Sequence, residues 1–203
     1  MRRGVGAPVP CAVFARGESM RDVLLLIALA LARYSLGSAQ RLTVTEFHTL
    51  AHACVPEADS RDLLALARTE SSLNPWALSV NRPTALARRL GYGSGLVHLK
   101  YQPTTKAEAI RWVRELVGGG ATVSIGLLQV NLERAKYAAE RLFDPCSNLR
   151  EGWNIFIRAY EREALDFGPG QRALLAAFVS YNAGASLTGF RNGYVLSIFR
   201  NAY

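Results

Sequence analysis

With 203 residues, half of them hydrophobic and a fifth charged, the chain can enclose one sizeable core and is too apolar to be globally disordered. Its net charge of +8 is scattered through runs such as "ARRL", "RWVREL" and "ERAKYAAERL". There is no basic block and no recognised binding motif, which argues against a nucleic-acid partner; a modest positive excess suits a polyanionic surface such as a cell envelope.

The chain opens with a leader. Residues 20–40, "MRDVLLLIALALARYSLGSAQ", have a short charged start, an apolar run from Val23 to Ala32 and the small residues Gly37, Ser38 and Ala39. This is the layout of a secretory signal peptide cleaved after Ala39, and it predicts an exported, periplasmic protein. The run is about ten residues long and ends at Arg33, short for a membrane span; an uncleaved inner-membrane anchor is the alternative. Residues 1–19 place a Gly/Pro-rich stretch ahead of this signal, so translation starts at either Met1 or Met20. Residues 40–203 form the predicted domain, with 19 basic against 14 acidic residues. Cys54 and Cys146 follow the leader, and an exported compartment permits them to pair. The alternative is two buried thiols.

The domain reads as helical with long loops. "VTEFHTLAHAC" sets Phe47, Leu50, Ala51 and Cys54 at helical spacing, with Thr45 as the candidate cap. A second helix starts at Asp59 or Ser60 and closes by about Leu73, because Pro75 restricts Asn74 to extended backbone. Residues 76–103 are loop-like, with room for a short strand or hairpin in 91–103. "TKAEAIRWVRELVGGG" carries Thr105 and Glu108 at capping-box spacing and stops at Gly118. "NLERAKYAAERLF" reads as a helix begun by Asn131, and "DPCSN" as a turn. "REGWNIFIRAYEREALDFG" is a long amphipathic helix, "QRALLAAFVSYNAG" a more apolar one, and "GYVLSIFRNAY" a short last one. There is no internal repeat and no interdomain linker.

One side chain in this scheme is misplaced by ordinary rules. Glu70 lies three, four and seven residues after Ala67, Leu66 and Leu63, and so continues the apolar stripe of its helix. It also sits in the last turn, where the helix dipole disfavours negative charge. Both effects favour the neutral acid and predict a raised pKa, the property of a general acid. The alternative is a boundary glutamate that swings into solvent.

Three blocks occur in order, "TESSLNPWALSVN" (69–81), "SIGLLQVN" (124–131) and "VSYNAG" (179–184), with a "FDPCSN" segment (143–148), a late "GYV" (193–195) and the cysteine pair. Together they resemble the lytic transglycosylases with a goose-type lysozyme-like core, the branch associated with type IV secretion systems. The resemblance covers roughly residues 44–197. It implies a mainly α, lysozyme-like domain with long loops and at most a small β-hairpin. The implied activity is cleavage of the β-1,4 bond between N-acetylmuramic acid and N-acetylglucosamine in peptidoglycan glycan strands, with a 1,6-anhydromuramoyl product and no cofactor. The implied partners are envelope components of a secretion apparatus. Such enzymes manage with one glutamate, a role that falls on Glu70. Substrate-binding roles fall on Ser79, Gly126, Leu128, Gln129, Asn131, Tyr181 and Asn182. Among these, Tyr181 matches the family tyrosine that hydrogen-bonds the catalytic carboxyl, and the Gly126–Gln129 block matches the lining of the glycan groove. Leu128 stands where methionine is frequent, and the interval 83–123 is long, so its loops are expected to lengthen or partly cover the cleft.

Other candidates are weaker. His48 and His52 share a helix face, but only His98 remains as a third imidazole and there is no "HExxH", so no metal site is expected. Trp76 either stacks on a sugar or seals the core. Asp144 could serve as a second carboxylate, but its place before Pro145 favours turn capping. A goose-type muramidase that uses water, and a non-catalytic wall-binding assembly component, are the competing readings.

Overall fold

A computed structural model of the protein describes residues 41–81, 84, 89, 102–183 and 193–202. The leader, His98 and most of the expected 91–103 hairpin lie outside the described residues, as does much of the 83–123 interval. The described elements run α1 (Val44–Cys54), α2 (Ser60–Ser71), β1 (Leu78–Val80), α3 (Lys106–Gly118), β2 (Val123–Ile125), β3 (Val130–Asn131), α4 (Ala139–Leu142), α5 (Pro145–Phe167), α6 (Gln171–Ala183) and α7 (Tyr194–Asn201). The fold is mainly α, with a small antiparallel sheet of order β1-β2-β3.

Caps set most helix starts. At α1 the cap is Thr43, not Thr45: its hydroxyl accepts from the Glu46 amide while the Glu46 carboxylate accepts from the Thr43 amide. This reciprocal box satisfies two end groups that Thr45 would leave open. α1 buries the expected Phe47, Leu50, Ala51 and Cys54. Asp59, the first of the two candidates, caps α2 through the Arg61 amide at 2.8 Å. Thr105 caps α3 through the Glu108 amide, but the Glu108 carboxylate turns to the Thr104 amide and hydroxyl instead of completing the box.

Two expectations in the second half are corrected. "DPCSN" is not a free turn; Asp144 caps α5 by accepting from the Ser147 amide, and Pro145 is the first helical residue, where its missing N–H costs nothing. Nor does a helix begin at Asn131. Its backbone belongs to β3, paired with Ser124, and its carboxamide accepts from the Glu133 amide in a local turn. Only the four residues of α4 become helical there.

α5 is the spine of the domain. It packs along α6 through Phe156 and Phe178, whose ring centroids are 4.8 Å apart, and Trp153 stacks on Phe156 at 5.2 Å. Gly152 of α5 admits the Leu128 side chain, which a Cβ at that position would strike at 2.6 Å from its own Cβ. α7 lies against α2, pinned where Arg68 donates to the Asn201 carbonyl at 3.0 Å and the Asn201 amide donates to Thr69 Oγ1 at 2.9 Å. Trp76 is buried against Phe143 and seals the core. The outer edge of β1 is closed by the Gln102 carboxamide, which exchanges hydrogen bonds of 2.8 and 2.9 Å with the Leu78 amide and carbonyl. An open edge is thereby occupied by a side chain.

Cys54 and Cys146 form a disulfide that joins the end of α1 to the start of α5 across 92 residues, beside a hydrogen bond from Arg150 to the Cys54 carbonyl. Closing a loop of that length stabilises the fold by about 4 kcal/mol through the unfolded chain's entropy. A Cys54→Ser/Cys146→Ser variant should therefore unfold at lower urea, with a free-energy loss of roughly 2–4 kcal/mol and an unchanged circular dichroism spectrum at low denaturant.

Candidate active site

Glu70 reaches the site because α2 ends abruptly. Leu63, Leu66 and Ala67 are fully buried, and the stripe they form carries Glu70 into the protein's interior edge. After Ser71 the chain reverses through two consecutive left-handed residues, Ser72 (φ 52°) and Leu73 (φ 62°), neither of them glycine. Hydrogen bonds from their amides to the Arg68 and Ala67 carbonyls hold this turn, and the Leu73 carbonyl accepts from the Leu42 amide. Such backbone persists only where its surroundings fix it. Here it leaves Glu70 in the last turn of the helix, facing a cleft of about 240 Å³.

The carboxyl of Glu70 is held up to about 7, from an ordinary 4.5. Burial is the cause, since it penalises the charged form; a hydrogen bond from Tyr194 pulls in the opposite direction and does not win. The Tyr194 hydroxyl lies 2.5 Å from Glu70 Oε1, delivered from the first turn of α7, 124 residues along the chain. Burial and the neighbouring carboxyl raise the Tyr194 hydroxyl well above its usual range, so it remains a donor.

The floor of the cleft is the sheet. Its register aligns Ser79 with Ser124 and Ser124 with Asn131, a row of polar side chains on the cleft face. The alternate row, Leu78, Ile125 and Val130, is buried. Asn81 extends the polar surface by donating to Ser124 Oγ at 2.9 Å. Between β2 and β3 the chain turns through Gly126 (φ 79°) and Gln129 (φ 46°).

One buried carboxamide holds that turn. Asn148, on α5 and 1% exposed, donates to the Ile125 and Leu142 carbonyls and accepts from the Leu128 amide at 2.8 Å. Gly126 must be glycine on two counts: its φ is left-handed, and a Cβ would lie 2.2 Å from Asn148 Nδ2. Gln129 is fixed from its amide end, which donates to the Ala77 and Gly126 carbonyls at 3.1 and 3.0 Å. Its Oε1 finds no partner among the described residues.

Six of the eight predicted site residues line one cleft: Glu70, Ser79, Gln129, Asn131, Tyr181 and Asn182. Two do not. Leu128 is fully buried against Gly152, and Gly126 lies beneath the wall against Asn148. Both shape the turn rather than line the groove. A third correction concerns Tyr181. Its hydroxyl donates to the Leu128 carbonyl at 2.6 Å, and the tyrosine bonded to the catalytic candidate is Tyr194. Tyr181 is still close enough for the Glu70 charge to raise its pKa, after the larger effect of burial. Sequence reasoning noted "GYV" as a block without assigning its tyrosine a task. It also passed over Ser124, Asn81 and Arg134 in the cleft wall. The alternation "SVN" and "VSI" around the paired strands is the signal that would have placed the first two. Asp144 is spent on its helix cap, and among the described residues no cluster of three metal-ligating side chains occurs.

The sequence model described as Transglycosylase SLT domain matches residues 49–195, most of the chain and all of this cleft. The type IV secretion system protein virB1 of Brucella abortus is 34% identical over 149 residues, which is 71% of this chain and 57% of that protein. The protein virB1 of Rhizobium radiobacter is 27% identical over 182 residues, 88% of this chain and 70% of that one. The chain thus spans little more than half the length of the Brucella relatives. No solved structure matches. The chain belongs to the transglycosylase SLT domain family.

Proposed function

We propose that the protein is a peptidoglycan lytic transglycosylase, exported to the periplasm, that opens the cell wall locally for a type IV secretion or conjugation apparatus. The observation that carries this reading is a carboxyl held near neutrality, Glu70, in the wall of a polar cleft within a transglycosylase SLT domain. The virB1 relatives support the apparatus, and the sequence supports export through its leader. No described helix is long and apolar enough to cross a membrane.

The chemistry follows from one acid. Glu70, protonated at neutral pH, gives its proton to the oxygen that links N-acetylmuramic acid to N-acetylglucosamine. The C1–O bond breaks with its electron pair on that oxygen, and the N-acetylglucosamine end departs. The substrate's acetamido group shields the cationic C1. The muramoyl 6-hydroxyl then attacks C1 while Glu70, now carboxylate, takes the hydroxyl proton. The products are a 1,6-anhydromuramoyl end and a free 4-hydroxyl, and no water is consumed. A pKa of about 7 serves both steps, because the same group must donate and then accept. Among the described residues that line the cleft Glu70 is the sole carboxylate, which supports a substrate-assisted route. Gln129 Oε1, Asn131 and Ser79 are the groups suited to the sugars' hydroxyls and acetamido N–H.

Digestion of purified sacculi followed by mass spectrometry of the released muropeptides tests this. Anhydromuramoyl ends are expected, and Glu70→Gln should lower their release roughly 10³-fold. Reducing ends alone would assign the protein to the water-using muramidases. No release by the wild type, with secretion unaffected by Glu70→Gln, would make it a binding component.

Among the described residues the Tyr194 donor is the one interaction that lowers the Glu70 pKa. In Tyr194→Phe the alkaline limb of the pH–rate profile should move to higher pH. The rate should fall roughly ten- to a hundredfold as the carboxyl loses its orientation.

The same pKa has a thermodynamic cost. Unfolded, Glu70 titrates near 4.5; folded, near 7. The folded state binds the extra proton, so this contribution to stability is full below about pH 4.5 and is lost as pH rises through 7. Glu70→Gln has no such loss. It should melt with the wild type at pH 4 and several degrees higher at pH 8, a gain on the order of 3 kcal/mol, read by calorimetry.

A further inference from the structure

Arg134 is the only cation among the described residues that line the cleft. Several arginines in the described parts of the fold are engaged: Arg61, Arg111, Arg114 and Arg162 with carboxylates, Arg68 and Arg150 with carbonyls. Among the described residues the Arg134 guanidinium has no hydrogen-bond or ion-pair partner, and the residue is exposed at the cleft's rim. It is not the counter-ion of Glu70 either, since no charge from it contributes to the Glu70 proton affinity.

Its backbone, by contrast, is firmly placed. The Arg134 amide donates to the Asn131 carbonyl at 3.1 Å, immediately after β3. Two residues later the Lys136 amide donates to Glu151, a glutamate 1% exposed on α5. The segment is tied to the sheet at one end and to the core at the other. A cation is thus carried on a fixed turn beside a wall of neutral amides and hydroxyls. With Glu70 protonated, the described lining is net positive.

We propose that Arg134 is a specificity-determining residue that binds a carboxylate carried by the muramoyl sugar next to the scissile bond. This rests on the glycan-cleaving reading of the cleft. Sugar rings offer hydroxyls and acetamido groups, which the neutral wall matches. The acidic feature of a muramoyl unit is its lactyl ether, which ends in a free carboxylate on a bare strand and carries the acidic peptide stem on a substituted one. A guanidinium fits a carboxylate with two parallel N–H···O bonds, which the neutral wall cannot supply.

The test uses Arg134→Gln and Arg134→Lys in the full chain, checked for an unchanged melt. Three ligands are compared: glycan strands bearing peptide stems, strands stripped by an amidase so that the lactyl carboxylate is free, and neutral N-acetylglucosamine oligomers. On whichever anionic strand carries the recognised carboxylate, Arg134→Gln should raise KM about five- to tenfold with kcat nearly unchanged. Arg134→Lys should recover part of the loss, and added salt should weaken the wild type more than the glutamine variant. Binding of the neutral oligomers should not change. The pattern across the two anionic strands identifies the source of the carboxylate. Equal KM for wild type and Arg134→Gln on both anionic strands overturns the proposal, and so does an equal loss on the neutral oligomers. Calorimetric binding of the same three ligands is measured in parallel and needs no turnover. A wild type that cleaves nothing therefore refutes the enzymatic reading, while charge-selective binding still decides the role of Arg134.

Discussion

The hydrogen bond between Tyr194 and Glu70 is the constraint around which the domain is arranged. A carboxyl useful as an acid must be kept from water, yet a carboxyl kept from water with no partner is costly and badly oriented. Burial raises the proton affinity of Glu70, and Tyr194 returns part of that rise in exchange for a fixed direction. The two residues come from helices far apart in the chain, so α7 must lie against α2 for the bond to exist. The Arg68–Asn201 and Asn201–Thr69 contacts secure that docking through the two residues that precede Glu70.

A second polar hub does for the sheet what α7 does for the acid. Asn148 satisfies three backbone groups of the β2–β3 turn and its neighbour from within the core. The turn's backbone therefore cannot relax, and Gln129 keeps a left-handed conformation that its residue type rarely adopts. Together with Ser72 and Leu73, three non-glycine residues of positive φ lie beside the cleft, and they are the ones found in the described chain. Strain is gathered where side chains must be aimed.

Much of this was legible in the sequence. The α2 stripe, with Glu70 as its polar continuation, needs only the 3.6-residue period, and the structure finds those neighbours fully buried. The cysteine pair and the helical segments 44–54 and 171–183 are equally local or compositional signals. What was not legible depends on contacts between distant segments. Leu128 looks like a cleft residue until Gly152 is found to receive it from 24 positions away. Asn131 looks like a helix cap until β2 claims its backbone. Tyr181 and Tyr194 are both tyrosines near the end of the chain, and only the packing of α6 and α7 decides which of them meets the carboxyl. Periodicity reports which face of an element is buried; it says nothing of which neighbour buries it.

Because α2 and α7 are separated by so much chain, the Tyr194–Glu70 pair cannot exist in a molecule whose last helix has not docked. Until α7 docks, Glu70 lacks the hydroxyl that fixes its direction. A chain still folding, or one whose last helix has come away, carries an unaimed carboxyl even if its cleft floor is intact. Completion of the fold and the arming of the reagent are a single event, a built-in safety for a molecule whose reading is that of a wall-cutting enzyme.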